Sequence, residues 1–397
     1  MNAASPTLQG PTDAPAARAG AGGAAKGQIR AHTGLRGIAA LLVVGYHQEF
    51  GPFYKLPFEI STNVFRRSYL MVDLFFILSG FIISYVYCAD RKEPMSPAAT
   101  KSFLFTRFAR IYPLHFVSAV FMLLFAIAST TFLALTGHHY DALNARDLTQ
   151  WLLQLVLLNA WKPGYDAWNV PSWSISAEMF AYLLFPAIVA AHVLRGRLSR
   201  ATLLMISVGF YFYIAATSRS LDIIAGLAPL RCIAGFGLGM IVYHYRAQIL
   251  RASDPLLSAV QVTALLWACL GLAYKVNDPL IIPAFLMIVA STWVDRGIVA
   301  KLLSLRPFQW LGEISYSVYL LHVPLGSTLW FFWSRSAPRL GVNPPVGRVM
   351  WLVIVFAAVL IGSTLSYHGI EVPARRGLMR WWGARNQPAQ GALIPAP

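Results

Sequence analysis

The 397-residue chain is 57% hydrophobic and only 12% charged, whereas soluble domains carry about 25% charged residues. That composition excludes a soluble enzyme and points to a polytopic membrane protein. The formal net charge of +16 then belongs to loops facing the cytoplasm and anionic head groups, not to a nucleic-acid surface.

Residues 1–32 are rich in Ala, Gly and Pro, carry Asp13, Arg18, Lys26 and Arg30, and lack the continuous apolar core of a secretory signal. They read as a disordered cytoplasmic tail. Ten apolar stretches follow, at about 34–52, 69–88, 111–135, 173–194, 201–217, 229–245, 256–274, 278–294, 310–333 and 349–370. Each is long enough, with tilt or interfacial ends, to span a hydrocarbon core about 30 Å thick. An eleventh stretch, Trp151 to Ala160, is too short and reads as re-entrant or interfacial. The expected fold is an all-α membrane helix bundle over residues 33–375, with residues 376–397 as a cytoplasmic tail.

Charge supports leaving the short stretch out. With ten spans and the N-terminus inside, the cytoplasmic side holds 21 of the 32 basic residues, ten lie outside and Arg231 falls within a span, as the positive-inside rule prefers. Counting the short segment as a span flips the downstream Arg-rich loops to the outside. No long-period repeat is visible. Any chemistry therefore belongs inside the bundle or at its mouths.

Within the first span, Arg36 and His47 are eleven residues apart, which returns a helix to within about 20° of the same face and separates the two by about 16 Å along its axis. Polar groups in hydrocarbon are costly unless they face a partner or an aqueous cavity, so the pair is a candidate functional stripe. The alternatives are that Arg36 snorkels at the helix end and His47 bonds a neighbouring helix. Two layers of polar residues favour function. The inner layer holds Arg36, Arg107, Arg110, Glu313 and Glu371; the outer holds His47, Asp73 and Glu178. Arg107 and Arg110, three apart, project from one helix face and suit a phosphate clamp, although positive-inside anchoring also places arginines there. Asp73 is placed to orient His47 and raise its basicity. Glu178 shares a helix face with Ser174 and Tyr182 at i±4 spacing.

Arginines below an imidazole and carboxylates suit a phosphorylated donor entering from the cytoplasm and a hydroxyl acceptor deprotonated deeper in the membrane. Acyl transfer from a coenzyme A thioester fits, with the arginines on the nucleotide phosphates, a pantetheine arm spanning the distance from Arg36 to His47, and His47 as general base.

Six strings then become recognisable in order: GLRGIAALLVVGYH from Gly34, VDLFFILSGFIIS from Val72, RFARIYPLH from Arg107, PSWSISAEMFAY from Pro171, ISYSVYLLHVPL from Ile314 and SYHGIEVPARR from Ser366. Together they resemble the bacterial membrane-bound acyltransferase 3 family over about residues 30–377. The resemblance implies O-acylation of surface glycans or small glycosylated products. It implies that Arg36 and His47 form the family's Arg-x10-His pair, that Arg107 and Arg110 form its RxxR element for the acyl-CoA donor, and that Glu178 and Glu371 match acidic family positions. It further implies a multi-pass protein of the bacterial inner membrane with both termini cytoplasmic, moving a short acyl group, most often acetyl, to a carbohydrate or glycolipid. Where many relatives carry a second acidic residue after the Glu of the PSW string, Met179 stands here.

With no fused domain to receive the acyl group, direct delivery to a sugar is expected. A proton-coupled transporter or permease is the alternative, but it predicts inverted repeats and matching broken helices, which are not visible. His322 lies close to Pro324 and is expected to satisfy the irregular backbone there. His138 and His139 in an outer loop do not make a metal site, and no metal is expected. Trp168, Trp173, Trp381 and Trp382 read as interfacial anchors. Cys88, Cys232 and Cys269 have no metal or disulfide spacing.

Overall fold

The computed structural model describes residues 28–49, 59–88, 93–137, 147–162 and 168–386, and no strand occurs among them. In chain order the helices are α1 (Arg30–Glu49), α2 (Glu59–Arg66), α3 (Met71–Tyr87, entered through a 3-10 turn), α4 (Pro97–Leu135), α5 (Leu148–Leu155), α6 (Ser172–Ala190), α7 (Arg197–Ser218) and α8 (Ala228–His244). There follow α9 (Arg246–Leu250), α10 (Asp254–Ala273), α11 (Ile282–Thr292), α12 (Ile298–Leu303), α13 (Arg306–Glu313), α14 (Ser315–Ser336), α15 (Pro344–Ser366) and α16 (Val372–Asn386). Each of the ten apolar stretches is largely helical over its described part, although 191–194 of the fourth form a turn after α6. Among the described residues six helices are long and apolar enough to cross a membrane by length and composition, and the chain is a polytopic helical membrane protein. The ninth stretch, expected as one helix, is divided at Ile314 into α13 and α14.

Small residues draw the central helices together. A Cβ on Gly80 of α3 would lie 2.0 Å from the carbonyl oxygen of Phe236 on α8, and one on Gly239 would lie 2.1 Å from that of Ile77. Membrane helices without a hydrophobic drive between them gain from such backbone approach. Phe76, Ile77, Phe81, Phe185, Phe236 and Leu238 fill the core beside this crossing.

The start of α1 departs from the expected tail. Ala31 and His32 are buried, and Asp295 accepts from the backbone N–H groups of Arg30 and Ala31 at 3.0 and 2.7 Å. A carboxylate 265 residues away thus caps the helix N-terminus, a role usually filled by a local side chain. At the other end α16 runs on to Asn386, beyond the expected start of a tail at 376. Residues 1–27 and 387–397, the remainder of both expected tails, lie outside the described residues, as do His138 and His139.

The short segment folds as the eight-residue α5. It is tied to α4 by His115 Nε2 on the Gln154 carbonyl at 2.7 Å and by the Trp151 indole N–H donated to the Ala119 carbonyl at 2.9 Å. Asn159 donates to Ser172 and Ser176 to the Leu157 carbonyl, so the approach to α6 runs through protein. Trp168 and Trp173 are 1% and 5% exposed and are core residues, contrary to the expectation of interfacial anchors. Trp168 donates to the Asp147 carbonyl, and Trp173 lies under the Arg231 guanidinium. Trp382 stacks on Phe105 at 4.2 Å between ring centroids, while Trp381 is exposed.

Candidate functional site

Glycines on α1 set its inward face. A Cβ on Gly37 would meet the Gly312 nitrogen at 2.7 Å, and one on Gly312 would meet the Thr33 carbonyl oxygen at 2.0 Å. Held this closely, α1 presents Arg36 to a cavity of about 150 Å³ that Arg107 and Arg110 of α4 and Glu178 of α6 also line. Beside it is a second cavity of about 380 Å³, lined by Glu313, Glu371 and Arg375 and again by Arg36 and Arg110. All five residues of the expected inner layer therefore stand around two adjoining cavities.

Among the described residues none of Arg36, Arg107 and Arg110 forms an ion pair, and the Arg107 Nε is buried without a hydrogen-bond partner. The carboxylates beside them have other partners. Tyr182 donates to Glu178 at 2.5 Å and shares a 3.1 Å contact with Ser79; Ser317 donates to Glu371 at 3.0 Å. Glu371 lies on a π-helical turn, Tyr367–Glu371, and π turns shift a side chain's direction and recur at functional sites. Three arginines around one cavity, none of them ion-paired among the described residues, can receive a multiply charged phosphate group through charge-assisted hydrogen bonds.

Glu178 thus belongs with the arginines and not with His47, a correction to the two-layer expectation. The depth estimate assumed that α6 begins at the bilayer surface. Instead α6 starts inside the bundle: Asn169, Ser172 and Ser174 are buried, and Asn169 donates to the Leu320 carbonyl of α14 at 3.0 Å.

Asp73 does not reach His47 either. It is fully buried and accepts from Arg231 Nε at 2.9 Å and Nη2 at 2.6 Å, with the Tyr211 hydroxyl at 3.2 Å. A cation sealed inside a span is costly without a partner, and Arg231 takes the carboxylate expected for the histidine.

His47 is paired with His322. His47 Nδ1 lies 3.0 Å from the Val43 carbonyl oxygen and 3.1 Å from His322 Nε2, and the rings meet edge to face at 4.6 Å. The backbone irregularity at Pro324 does not occupy His322 as expected. The carbonyl that a Pro324 N–H would have bonded is that of Leu320, and Asn169 serves it; His322 Nδ1 faces the Val318 carbonyl at 3.2 Å, leaving Nε2 for His47. This partner was missed because the two histidines are 275 residues apart and only the helix crossing joins them.

Among the described residues the arginines and the imidazole do not line one shared cavity. Neither histidine lines the 150 Å³ cavity, whose wall includes Phe75 and Tyr319. Those rings meet edge to face at 5.6 Å, Ser174 and Tyr319 share a 2.7 Å hydrogen bond, and the His322 ring lies 6.1 Å beyond Tyr319. Phe75 and Tyr319 thus line the arginine cavity, and Tyr319 also meets the histidine pair. No metal-binding group of His, Cys, Asp or Glu occurs among the described residues.

Comparison with known proteins bears on what this arrangement serves. The family model described as an acyltransferase domain matches residues 30–368. Peptidoglycan O-acetyltransferase OatA of Listeria monocytogenes is 24% identical over 371 residues, covering 86% of this chain and 55% of that protein. Acyltransferase MdmB of Streptomyces mycarofaciens is 29% identical over 321 residues, 73% of this chain and 77% of that protein. The chain spans about half the length of the peptidoglycan O-acetyltransferase relatives it matches. No solved structure matches it. With the family model covering most of the helix bundle, Arg36, Arg107, Arg110 and the histidine pair included, the chain belongs to the acyltransferase 3 family.

Proposed function

We propose that this protein is an inner-membrane O-acyltransferase that moves a short acyl group, acetyl first among them, from acyl-CoA to a carbohydrate hydroxyl. The acceptor is a surface glycan or its lipid-linked precursor. The observation that carries the reading is the convergence of Arg36, Arg107 and Arg110, all without ion pairs among the described residues, on one cavity beneath the helix that also bears His47. Relatives named as peptidoglycan O-acetyltransferases support acetyl as the group and a glycan as the acceptor.

In this reading residues 33–375 carry the activity, both termini are cytoplasmic and the arginine end faces the cytoplasm. Arg36, Arg107 and Arg110 hold the CoA phosphates. His47 removes the proton from the acceptor hydroxyl as its oxygen attacks the thioester carbonyl; the C–S bond breaks, and the thiolate leaving group recovers that proton from the imidazolium. Glu178 and its Tyr182 donor offset the cationic wall of the donor cavity, which eases departure of free CoA. Asp73 acts at a distance, by neutralising Arg231.

The test is purified protein in nanodiscs, with free CoA thiol and acylated acceptor both measured. Thiol release from acetyl-CoA that requires a glycan acceptor is the expected result. A gene deletion that leaves the acyl content of purified surface glycans unchanged by NMR removes the glycan reading. Substrate movement across vesicles without thiol release speaks for a permease.

A further inference from the structure

The geometry of the histidine pair assigns a proton to each ring. A carbonyl oxygen only accepts, so His322 Nδ1, 3.2 Å from the Val318 carbonyl, carries a hydrogen and leaves Nε2 as an acceptor. His47 Nδ1 then faces two acceptors, the Val43 carbonyl oxygen at 3.0 Å and His322 Nε2 at 3.1 Å, so it too carries the hydrogen. The bare lone pair of His47 is left on Nε2. One set of hydrogens therefore satisfies both carbonyls and the contact between the rings, and the tautomer at each ring is fixed by what the other nitrogen faces.

We infer that His322 is a positioning residue for His47: it accepts from His47 Nδ1–H, directs the basic lone pair to Nε2, and takes the place in the relay that a carboxylate fills in other acid–base sites. When Nε2 takes up the acceptor's proton, the Nδ1–H becomes charge-assisted toward two acceptors, an interaction stronger in the protonated state than before it. Among the described residues the nearby carboxylates have other partners: Asp73 is engaged by Arg231 and Tyr211, Asp222 by Tyr46, Glu178 by Tyr182 and Glu371 by Ser317. Tyr46 and Tyr319 are the ring neighbours of the pair. The catalytic consequence rests on the acyl-transfer reading, whereas the proton assignment does not.

Two measurements test it. In the full-length protein with ¹⁵N-labelled histidine in nanodiscs, the neutral His47 ring, assigned by difference against His47→Gln, is expected in the Nδ1–H form. A His47 ring carrying its proton on Nε2 overturns the assignment, whatever the activity. In the acyl-transfer assay, His322→Phe is expected to lower kcat about 10- to 100-fold, the loss of a hydrogen bond to a charged group, with the KM for acetyl-CoA changed less than about threefold. His322→Gln, whose side-chain oxygen reaches the Nε2 position, is expected to recover most of kcat; His322→Asn, which reaches only the Nδ1 position, is not. Equal kcat for the Gln and Phe variants, or wild-type kcat in the Phe variant, overturns the positioning role. A wild-type protein without acyl transfer but with the expected His47 tautomer leaves the proton assignment standing and removes the functional reading alone.

Discussion

Asp73 and Arg231 form a two-point ion pair with both side chains sealed from solvent, 0% and 1% exposed. Removing one partner of such a pair strands the other charge and costs about 3–5 kcal/mol. Arg231→Met is therefore expected to lower the thermal unfolding midpoint strongly, and Arg231→Met with Asp73→Leu to lower it less. Thermal melts of the two detergent-purified variants check this. A double variant no better than the single one counts against the pair as the cause.

Arg107 is expected to act through the donor. Losing a hydrogen bond to a phosphate, worth about 1.5–3 kcal/mol, predicts that Arg107→Ala raises the KM for acetyl-CoA roughly 10- to 100-fold and leaves the KM for the acceptor within a few-fold. Steady-state kinetics with each substrate varied separately decides it. Equal losses on both substrates indicate misfolding.

His47 carries the proton step in the proposed mechanism. General-base catalysis contributes about 10²- to 10⁴-fold, so His47→Ala is expected to reduce kcat by that factor while donor binding persists. Acyl-CoA binding measured apart from turnover separates the two. In cells, full complementation of a deletion strain by His47→Ala excludes the histidine as the base.

Phe75 and Tyr319 line the donor cavity, and Tyr319 also meets the His322 ring. Truncating Phe75 to Ala opens space at that wall, and each methylene accommodated in an apolar pocket changes discrimination by about 1–3 kcal/mol. Relative kcat/KM for butyryl-CoA over acetyl-CoA is expected to rise at least roughly tenfold. Unchanged chain-length preference shows that the acyl group does not pass these rings.

Gly80 tests the crossing of α3 and α8. A methyl group there would sit 2.0 Å from the Phe236 carbonyl oxygen, which forces the backbones apart. Overpacking of this kind costs about 1–3 kcal/mol. Gly80→Ala is expected to lower the melting midpoint without a selective effect on the KM for either substrate.

The arginine layer was legible from spacing alone, because Arg107 and Arg110 share a helix face at i, i+3 and Arg36 and His47 share one at i, i+11. Such relations lie within one helix and follow from its period. The partners across helices were not legible. Asp73 looked available to His47, yet Arg231 holds it, and Glu178 was set at the wrong depth because the buried turn before α6 has no periodic signal. Asp295 as the cap of α1 and His322 as the partner of His47 are 264 and 275 residues away along the chain, beyond the reach of any local pattern.

By itself the sequence determined that this is a polytopic helical membrane protein, where its helices run and which residues are polar inside them. Those properties depend on hydropathy and on the 3.6-residue turn, both readable residue by residue. Tertiary structure alone decided which buried charge neutralises which, that two histidines meet, and that Tyr319 joins the arginine cavity to the histidine pair. Inside a membrane bundle, each polar group takes whichever partner the helix crossings bring within about 3 Å, and that choice exists only after the helices have packed.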